Sequence, residues 1–495
     1  MTSLAELGLT AQGGREAQIT GLAVDSREVK PGFLFAALPG ARVHGGEFIQ
    51  YALRMQAAAI LTDTKGAEIA AHELATSDAA LIVAQDPRQA LAQTASLWFG
   101  AHPATMVAVT GTNGKTSVST FCRQMWEAMG VAGVNLGTTG VEGAWAHPLK
   151  HTTPEPITLH RVLAEAAGNG VTHAAMEASS HGLDQRRLDG VLLSAAGFSN
   201  FSQDHLDYHK TFEAYFDAKM GLFTRVLGED GTAVINLDDP KGAEVAQICA
   251  DRGQEVIGVG RHPDARLRLR AQRFDATGQD VLFEWQDRSH QARLSLIGGF
   301  QVENVLLAAG LVIAAGVEAT DVFESFGALH TVRGRMELAA TRDNGAAVFV
   351  DYAHTPDAVA TALRAMRPHV LGRIIVIVGA GGDRDTAKRP LMGAAAAQNA
   401  DIVIVTDDNP RSEDPAVIRA AVMAGAMEAD GADSITEFGD RAEAILRGID
   451  MLEAGDALLI AGKGHESGQT IGDTVHPFDD VEQASVAVAA LEGRI

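Results

Sequence analysis

Four short apolar runs near the end of the sequence constrain the fold most: AAVFV (346–350), RIIVIV (373–378), DIVIVT (401–406) and DALLIA (456–461). Their hydrophobicity is continuous rather than alternating, as expected of parallel strands covered on both faces. Ala-rich stretches of helical character separate them. The same alternation runs through the last four-fifths of the chain, the pattern of parallel α/β domains. Each run leads directly into a polar loop: DYAHTPD (351–357), GAGGDRD (379–385), DDNPRSEDP (407–415) and GKGHE (462–466). Ligands of open parallel sheets bind at the carboxyl ends of the strands. Asp, Arg and His at all four ends exceed what turns require and imply one shared site.

With 495 residues, the chain is expected to hold about three domains. The first roughly 98 residues differ from the rest, with short strand-like pieces (ITGLAVDSR, GFLFAAL) and two helix-like pieces, and read as a small α/β domain. The expected domains are 1–98, 99–332 and 333–495, with the Gly-Arg-rich turn HTVRGRME (330–337) as a hinge. RLRLRAQRF and VLFEWQ are expected as hairpin strands inserted in the second domain. The net charge of −23 excludes a nucleic-acid binder, which needs a basic face. It also poses a problem: if the ligands are phosphates, the global field repels them and local cations must capture them. Cys122 and Cys249 make neither a disulfide framework nor a zinc site. The start MTSLAELGLTAQGG carries no signal-peptide pattern, and no apolar run approaches the about 18 residues of a membrane span. A cytoplasmic monomer without a membrane span is expected.

VAVTGTNGKTS (107–117) resembles a phosphate loop written short, since Gly111 lies only three positions before Gly114. TMVAVT (105–110) reads as a strand and SVSTFCRQMWEAM (117–129) as a helix, and strand, Gly-rich turn, helix is the context that supports a phosphate site. Backbone N–H groups and the helix N-terminus would cradle phosphate oxygens. Lys115 would reach the terminal phosphates, and the Thr116 hydroxyl would ligate Mg²⁺. THAAMEASSHG (172–182) puts Glu177 at a strand end, and SAAGFSNFSQDHLDYH (194–209) puts Asp204, His205, Asp207 and His209 after another. Glu and His beside a phosphate loop can hold a metal that bridges phosphate and substrate. His205 taken alone reads as a structural histidine; its case rests on this company.

TGTNGKTS, MEASSHGLDQRR, NFSQDHLDYH, YFDAKMGLF, GGFQVENVLLA, VRGRME, DYAHTPD, GGDRD, TDDNPR and AGKGHE occur in this order. On these motifs, which span essentially the whole chain, the sequence resembles the Mur ligase family of ATP-dependent amide-forming enzymes. The short phosphate loop is that family's usual form. The resemblance implies three α/β domains: a small N-terminal UDP-binding domain, a central P-loop ATPase domain with a parallel sheet, and a C-terminal Rossmann-like domain that binds the incoming amino acid.

The resemblance also implies site residues. For ATP these are Gly111, Thr112, Asn113, Gly114, Lys115, Thr116 and Ser117, with Asn304, Arg335, Asp351 and His354. Arg335, just past the hinge, would reach phosphate on domain closure. For the UDP-linked substrate they are Val24 and Ser26, more weakly Ala41, Arg42 and Val43, then His151, where asparagine is common, and Thr152, Thr153, Ser179, Gln185 and Arg187. For the amino acid they are Arg384, Asp408, Asn409, Pro410, Arg411, Gly462 and Glu466. For Mg²⁺ they are Thr116, Glu177, His205 and Lys219, the last as N6-carboxylysine; from YFDAK alone, Lys219 reads as a surface lysine on a helix.

The implied activity is ATP-dependent addition of meso-2,6-diaminopimelate to the D-glutamate carboxylate of UDP-N-acetylmuramoyl-L-alanyl-D-glutamate, through an acyl phosphate, in peptidoglycan precursor synthesis. A lysine-adding relative and a folylpolyglutamate synthetase stand as alternatives. TDDNPR favours diaminopimelate: Arg411 can pair with its distal carboxylate and would repel the bare ammonium of lysine, while Asp408 and Asn409 can accept from its ammonium. The base for the incoming amine is not identified by sequence, with His205 one candidate.

Overall fold

The computed structural model describes residues 1–40, 42–202 and 208–494. Ala41, Asp204, His205 and Asp207, named above, lie outside the described residues. Contacts divide the chain into two compact units, Met1–Arg268 with Asn304–Ser325, and Leu269–Glu303 with Phe326–Ile495.

The first unit holds two principal sheets. β1 (Gly21–Ala23), β2 (Phe33–Ala36), β3 (Ala59–Thr62) and β4 (Ala80–Val83) form a parallel four-stranded sheet in chain order. Helix α1 (Pro87–Phe99) follows; the Asp86 carboxylate accepts from the Gln89 N–H, and Pro87 at the first helical turn lacks a donor the helix would not use. The second sheet is built from β5 (Thr105–Thr110), β6 (Gly133–Gly137), β7 (Gly140–Gly143), β8 (His173–Glu177), β9 (Ala195–Phe198), β10 (Thr232–Asn236) and β11 (Glu255–Gly260). Their order is β11-β10-β9-β5-β8-β6-β7, parallel throughout except for β7. Met106, Val107, Ala108 and Val109 of β5 are all buried, which explains the unbroken apolar run. The chain leaves β5 for strands on one side and later returns to fill the other, so a crevice opens at its carboxyl end.

β12 (Leu267–Asp275), β13 (Gly278–Trp285) and β14 (Arg288–Leu294) make a meander, with β13 and β14 antiparallel. From Leu269 onward it groups with the second unit, whereas the sequence reading inserts these strands in the central domain. The second unit's main sheet contains β15 (Glu337–Thr341), β16 (Ala347–Asp351), β17 (Ile374–Val378), β18 (Ile402–Val405), β19 (Ser434–Glu437) and β20 (Ala457–Ala461). The order is β15-β16-β20-β17-β18-β19, parallel except for the edge strand β15. The four apolar runs of the sequence are its four inner strands. Val376, Val403 and Leu459 enter one core, and Ile375, Ile377, Ile404 and Leu458 enter the other, so both faces are covered. Burial of each such side chain contributes about 1.5–3 kcal/mol.

A buried ion pair locks two helices to this sheet. Arg441 opens α4 (Arg441–Asp450) and Asp480 opens α5 (Asp480–Leu491). Their side chains are both fully buried and pair bidentately, with Nε to Oδ1 at 2.8 Å and Nη2 to Oδ2 at 2.7 Å. Arg441 also donates to the Ala461 carbonyl at 3.0 Å and to the Asp407 carbonyl at 3.4 Å. The guanidinium thereby ties the loops after β18 and β20 to both helix starts. Removing one partner strands a buried charge, so Asp480→Ala should lower the urea-unfolding free energy by about 3–5 kcal/mol. Arg441→Met with Asp480→Leu should recover most of that loss; an equal loss in the double variant would contradict the stranded-charge account.

Candidate active site

In the first unit the phosphate loop turns from β5 into α2 (Lys115–Ala128). Gly114 has φ 87°, and a Cβ there would stand 2.5 Å from Asn304 Oδ1, so glycine is required and Asn304 lies against the loop. Lys115 Nζ donates to the Gly111 and Thr112 carbonyls at 3.0 and 2.8 Å. Lys219, on α3 (Phe212–Gly221), donates to the same Gly111 carbonyl at 2.7 Å and sits 4.5 Å from the Tyr215 ring centre. It is 1% exposed, which corrects the surface reading of YFDAK: the face of α3 carrying Tyr215, Lys219 and Met220 is turned inward.

Parallel pairing of β8 with β5 sets Glu177 beside Val109, at the root of the loop. Thr116 Oγ1 donates to Glu177 Oε2 at 3.0 Å, and the Thr138 N–H donates to Oε1 at 2.8 Å. This pair of hard oxygen donors is of the kind that would suit a Mg²⁺ ion. Among the described residues no cluster of three or more His, Cys, Asp or Glu side chains offers a different metal site.

A hydrogen-bond chain gathers the residues expected to hold the UDP-linked substrate. Thr153 Oγ1 donates to the Glu177 carbonyl at 2.9 Å and accepts from Ser179 N and Oγ at 3.1 and 3.0 Å. Arg187 donates to the Thr153 carbonyl at 2.5 Å and to Gln185 Oε1 at 2.8 Å, and Thr152 Oγ1 lies 3.1 Å from Thr138 Oγ1. Burial, and then neighbouring Arg88, holds the Arg187 pKa below its ordinary value. His151 is exposed and joins no hydrogen bond of this chain. Val24 and Ser26 leave the carboxyl end of β1, and exposed Arg42 and Val43 follow β2, so these residues share an edge of the N-terminal sheet; among the described residues no hydrogen bond links them to the Thr153 chain.

In the second unit, the loops after β17, β18 and β20 converge. Asp408 is 7% exposed, and its carboxylate accepts no hydrogen bond from the described residues. Gly462 has φ 116°, and a Cβ there would stand 2.5 Å from Asp408 Oδ2. Asn409 Oδ1 accepts from Thr470 N at 2.8 Å and from Lys463 Nζ at 3.3 Å, while its Nδ2 donates to Glu466 Oε2 at 2.9 Å. Both acceptor positions of Asn409 are therefore filled by the protein. The expectation that Asn409 accepts from a ligand ammonium is replaced: one amide N–H remains, and Asp408 and Glu466 Oε1 are the open acceptors. Arg411 holds φ 52°, unusual for a non-glycine residue, and donates to the Gly382 carbonyl at 2.7 Å. The Pro410 carbonyl accepts from the Glu413 N–H, and Arg384 is exposed.

Sequence reasoning missed Lys463 and Arg389. Arg389 is 3% exposed, pairs with Glu413 at 2.8 Å, and Glu413 accepts from the Asp383 N–H at 2.6 Å, which fixes the GGDRD loop. For Lys463 the signal was a cation inside the small-residue run AGKG, a pattern that calls for a buried partner; Arg389, beside Lys388, gave none. At the end of β16, Asp351 accepts from the Met336 N–H at 2.7 Å, and burial pushes its pKa up to about 6 although Arg335 opposes the shift. Arg335 stacks 4.8 Å from the Tyr352 ring centre, His354 Nδ1 lies 3.0 Å from the Tyr352 carbonyl, and burial, reinforced by Arg335, lowers His465 to about 4. Arg335, Asp351 and His354 thus form one group in this unit.

Family models match the chain in three places: "Mur ligase family, catalytic domain" over 18–98, "Mur ligase middle domain" over 109–312 and "Mur ligase, glutamate ligase domain" over 334–464. The chain is 48% identical to the UDP-N-acetylmuramoyl-L-alanyl-D-glutamate–2,6-diaminopimelate ligase of Bradyrhizobium diazoefficiens, covering 96% of this chain and 95% of that one. It is 46% identical to the ligase of the same name from Rhizobium meliloti, with 96% and 95% covered. A solved structure of a ligase of that name superposes with a TM-score of 0.72 at 34% identity, covering 99% of each chain.

Asp351 gives a pH signature. A carboxyl whose folded-state pKa lies above its ordinary 3.8 contributes stability in its protonated form. That contribution is full below about pH 4 and is lost as pH rises through about 6. The urea-unfolding free energy of the wild type relative to Asp351→Asn should therefore fall by up to about 3 kcal/mol between pH 4 and pH 7.5. A pH-independent difference would count against a raised Asp351.

Proposed function

The chain belongs to the Mur ligase family, and from that premise we propose that it joins meso-2,6-diaminopimelate to the D-glutamate carboxylate of UDP-N-acetylmuramoyl-L-alanyl-D-glutamate in an ATP-dependent reaction. The observation that carries the reading is the mixed charge of the loops after β17, β18 and β20. Asp408 and Glu466 Oε1 are open acceptors for an ammonium, and Arg411 is a guanidinium for a carboxylate. Diaminopimelate carries both groups at its far end. Lysine carries only the ammonium and would leave Arg411 unmatched.

The D-glutamate carboxylate attacks the γ-phosphorus of ATP, the bond to the β-phosphate oxygen breaks, and an acyl phosphate and ADP result. The amine then attacks the acyl carbon and phosphate leaves. No protein nucleophile is required; the protein positions the reactants and neutralises charge. Gly111, Gly114 and the first turn of α2, with Thr116 and Ser117, present N–H groups to phosphate, while Thr112 and Asn113, whose N–H groups are held by Asn200, shape the loop around it. Lys115 exchanges its two loop carbonyls for phosphate oxygens. Thr152, Thr153, Ser179, Gln185 and Arg187 hold the muramoyl peptide, and Val24 and Ser26 the uridine end. Asn304, Arg335, Asp351 and His354 serve the nucleotide, and Arg384, Asn409, Pro410 and Gly462 shape the amino-acid site. Thr116, Glu177 and a carbamylated Lys219 would hold Mg²⁺, which when bound offsets the charge of the phosphates. The working parts are domains 1–98, 99–332 and 333–495 of a cytoplasmic monomer; no helix among the described residues is long and apolar enough to cross a membrane.

Phosphate release should require both the UDP-muramoyl dipeptide and diaminopimelate. Release with a folate or with ATP alone, or a preference for lysine in a panel of diaminopimelate isomers, lysine and ornithine, would overturn the assignment. Arg411→Ala should lower kcat/KM for diaminopimelate by about 100-fold or more, with KM for ATP little changed. Carbamylation should give a ¹³C-carbamate NMR signal in protein equilibrated with ¹³C-bicarbonate, absent from Lys219→Ala; no difference between the two would remove it.

A further inference from the structure

Lys463 lies in the GKGHE loop, and its side chain is 0% exposed, although an isolated buried ammonium is among the costliest groups a fold can hold. Its three N–H donors are all committed: to the Gly468 carbonyl at 2.6 Å, to Glu466 Oε2 at 3.1 Å and to Asn409 Oδ1 at 3.3 Å. A lysine has no further donor to give, so this ammonium cannot bind substrate directly. It can, however, decide how its two polar neighbours face.

Lysine and the Thr470 N–H are both donors only, so the side of Asn409 that meets them must be its oxygen. The amide nitrogen is thereby forced towards Glu466, where it donates to Oε2. Glu466 Oε2 thus receives Lys463 and Asn409 together, and among the described residues Oε1 accepts nothing. Arg441, another buried cation of this unit, is engaged by Asp480 and two carbonyls and does not replace Lys463.

We propose that Lys463 is a positioning residue for the amino-acid acceptor site: its buried ammonium fixes the amide orientation of Asn409 and the rotamer of Glu466. This leaves one carboxylate oxygen and one amide N–H to meet the incoming amino acid. The inference rests on reading these loops as the amino-acid site, and goes further by assigning their geometry to a residue that does not touch the ligand.

The test compares the full-length wild type with Lys463→Met, measuring KM for meso-diaminopimelate, ATP and the UDP-muramoyl dipeptide separately. Loss of an oriented charge-assisted contact should raise the diaminopimelate KM by about tenfold or more while the other two stay within about twofold. A parallel rise in all three, or an unchanged diaminopimelate KM, overturns the proposal. Lys463→Met leaves a carboxylate without its cation and can unfold the loop. Lys463→Met/Glu466→Gln, which removes both charges, is therefore measured beside Glu466→Gln alone. Positioning through Glu466 predicts acceptor KM values within about threefold of each other, and an additive further rise overturns it. If the wild type fails to use diaminopimelate at all, the functional reading falls and this inference with it. Wild-type turnover with unmoved variants defeats the inference alone.

Discussion

The carbonyl oxygen of Gly111 accepts from the side-chain nitrogens of both Lys115 and Lys219, and the loop at the root of the first unit's sheet is arranged around that convergence. A chain with a net charge of −23 repels polyphosphates at long range. It can hold them only if cations already stand where the phosphates arrive. Among the described residues, Lys115 rests on the Gly111 and Thr112 carbonyls. A phosphate oxygen is the stronger partner, so exchange of Lys115 from carbonyl to phosphate runs downhill. Glu177, at the root of the same loop, is held by Thr116 and by the Thr138 N–H rather than by a lysine, which leaves its charge available to a divalent ion.

Cations in the second unit are used differently. Arg441 and Lys463 are fully buried, and each is saturated by carboxylates and carbonyls. They are fixtures: Arg441 ties two helix starts to the sheet, and Lys463 holds Asn409 and Glu466. Arg389 does the same for the GGDRD loop through Glu413. Among the described contacts, half-buried Lys115 rests on backbone carbonyls, whereas the buried cations of the second unit rest on carboxylates and carbonyls together.

The distinction marks what the sequence could disclose. β5 spans Thr105–Thr110 as TMVAVT suggests, and the four late apolar runs became the inner strands of the second sheet to within a residue or so. Burial on both faces demands continuous hydrophobicity, and that demand is written locally. The placement of Glu177 beside the phosphate loop follows from the same parallel register. Lys219 was not legible as buried, because its environment depends on which face of α3 turns inward. The orientation of Asn409 was hidden for another reason: its partners Lys463 and Thr470 stand 54 and 61 residues away. Lys463 and Arg389 were overlooked because charged residues are exposed by default, and only tertiary pairing overrides that. The meander of β12, β13 and β14 was recognised as strands, but its grouping from Leu269 onward depends on long-range contacts that no local pattern encodes.

Gly462 has no room for a Cβ because the Asp408 carboxylate occupies the space. That crowding has a bearing on inhibitor design. A compound seated against Asp408 would contact a position that few substitutions can satisfy, since a larger side chain at 462 meets both a left-handed backbone and the Asp408 carboxylate. Resistance by simple replacement there would disturb the same carboxylate at the same stroke, so the evolutionary escape routes are narrow.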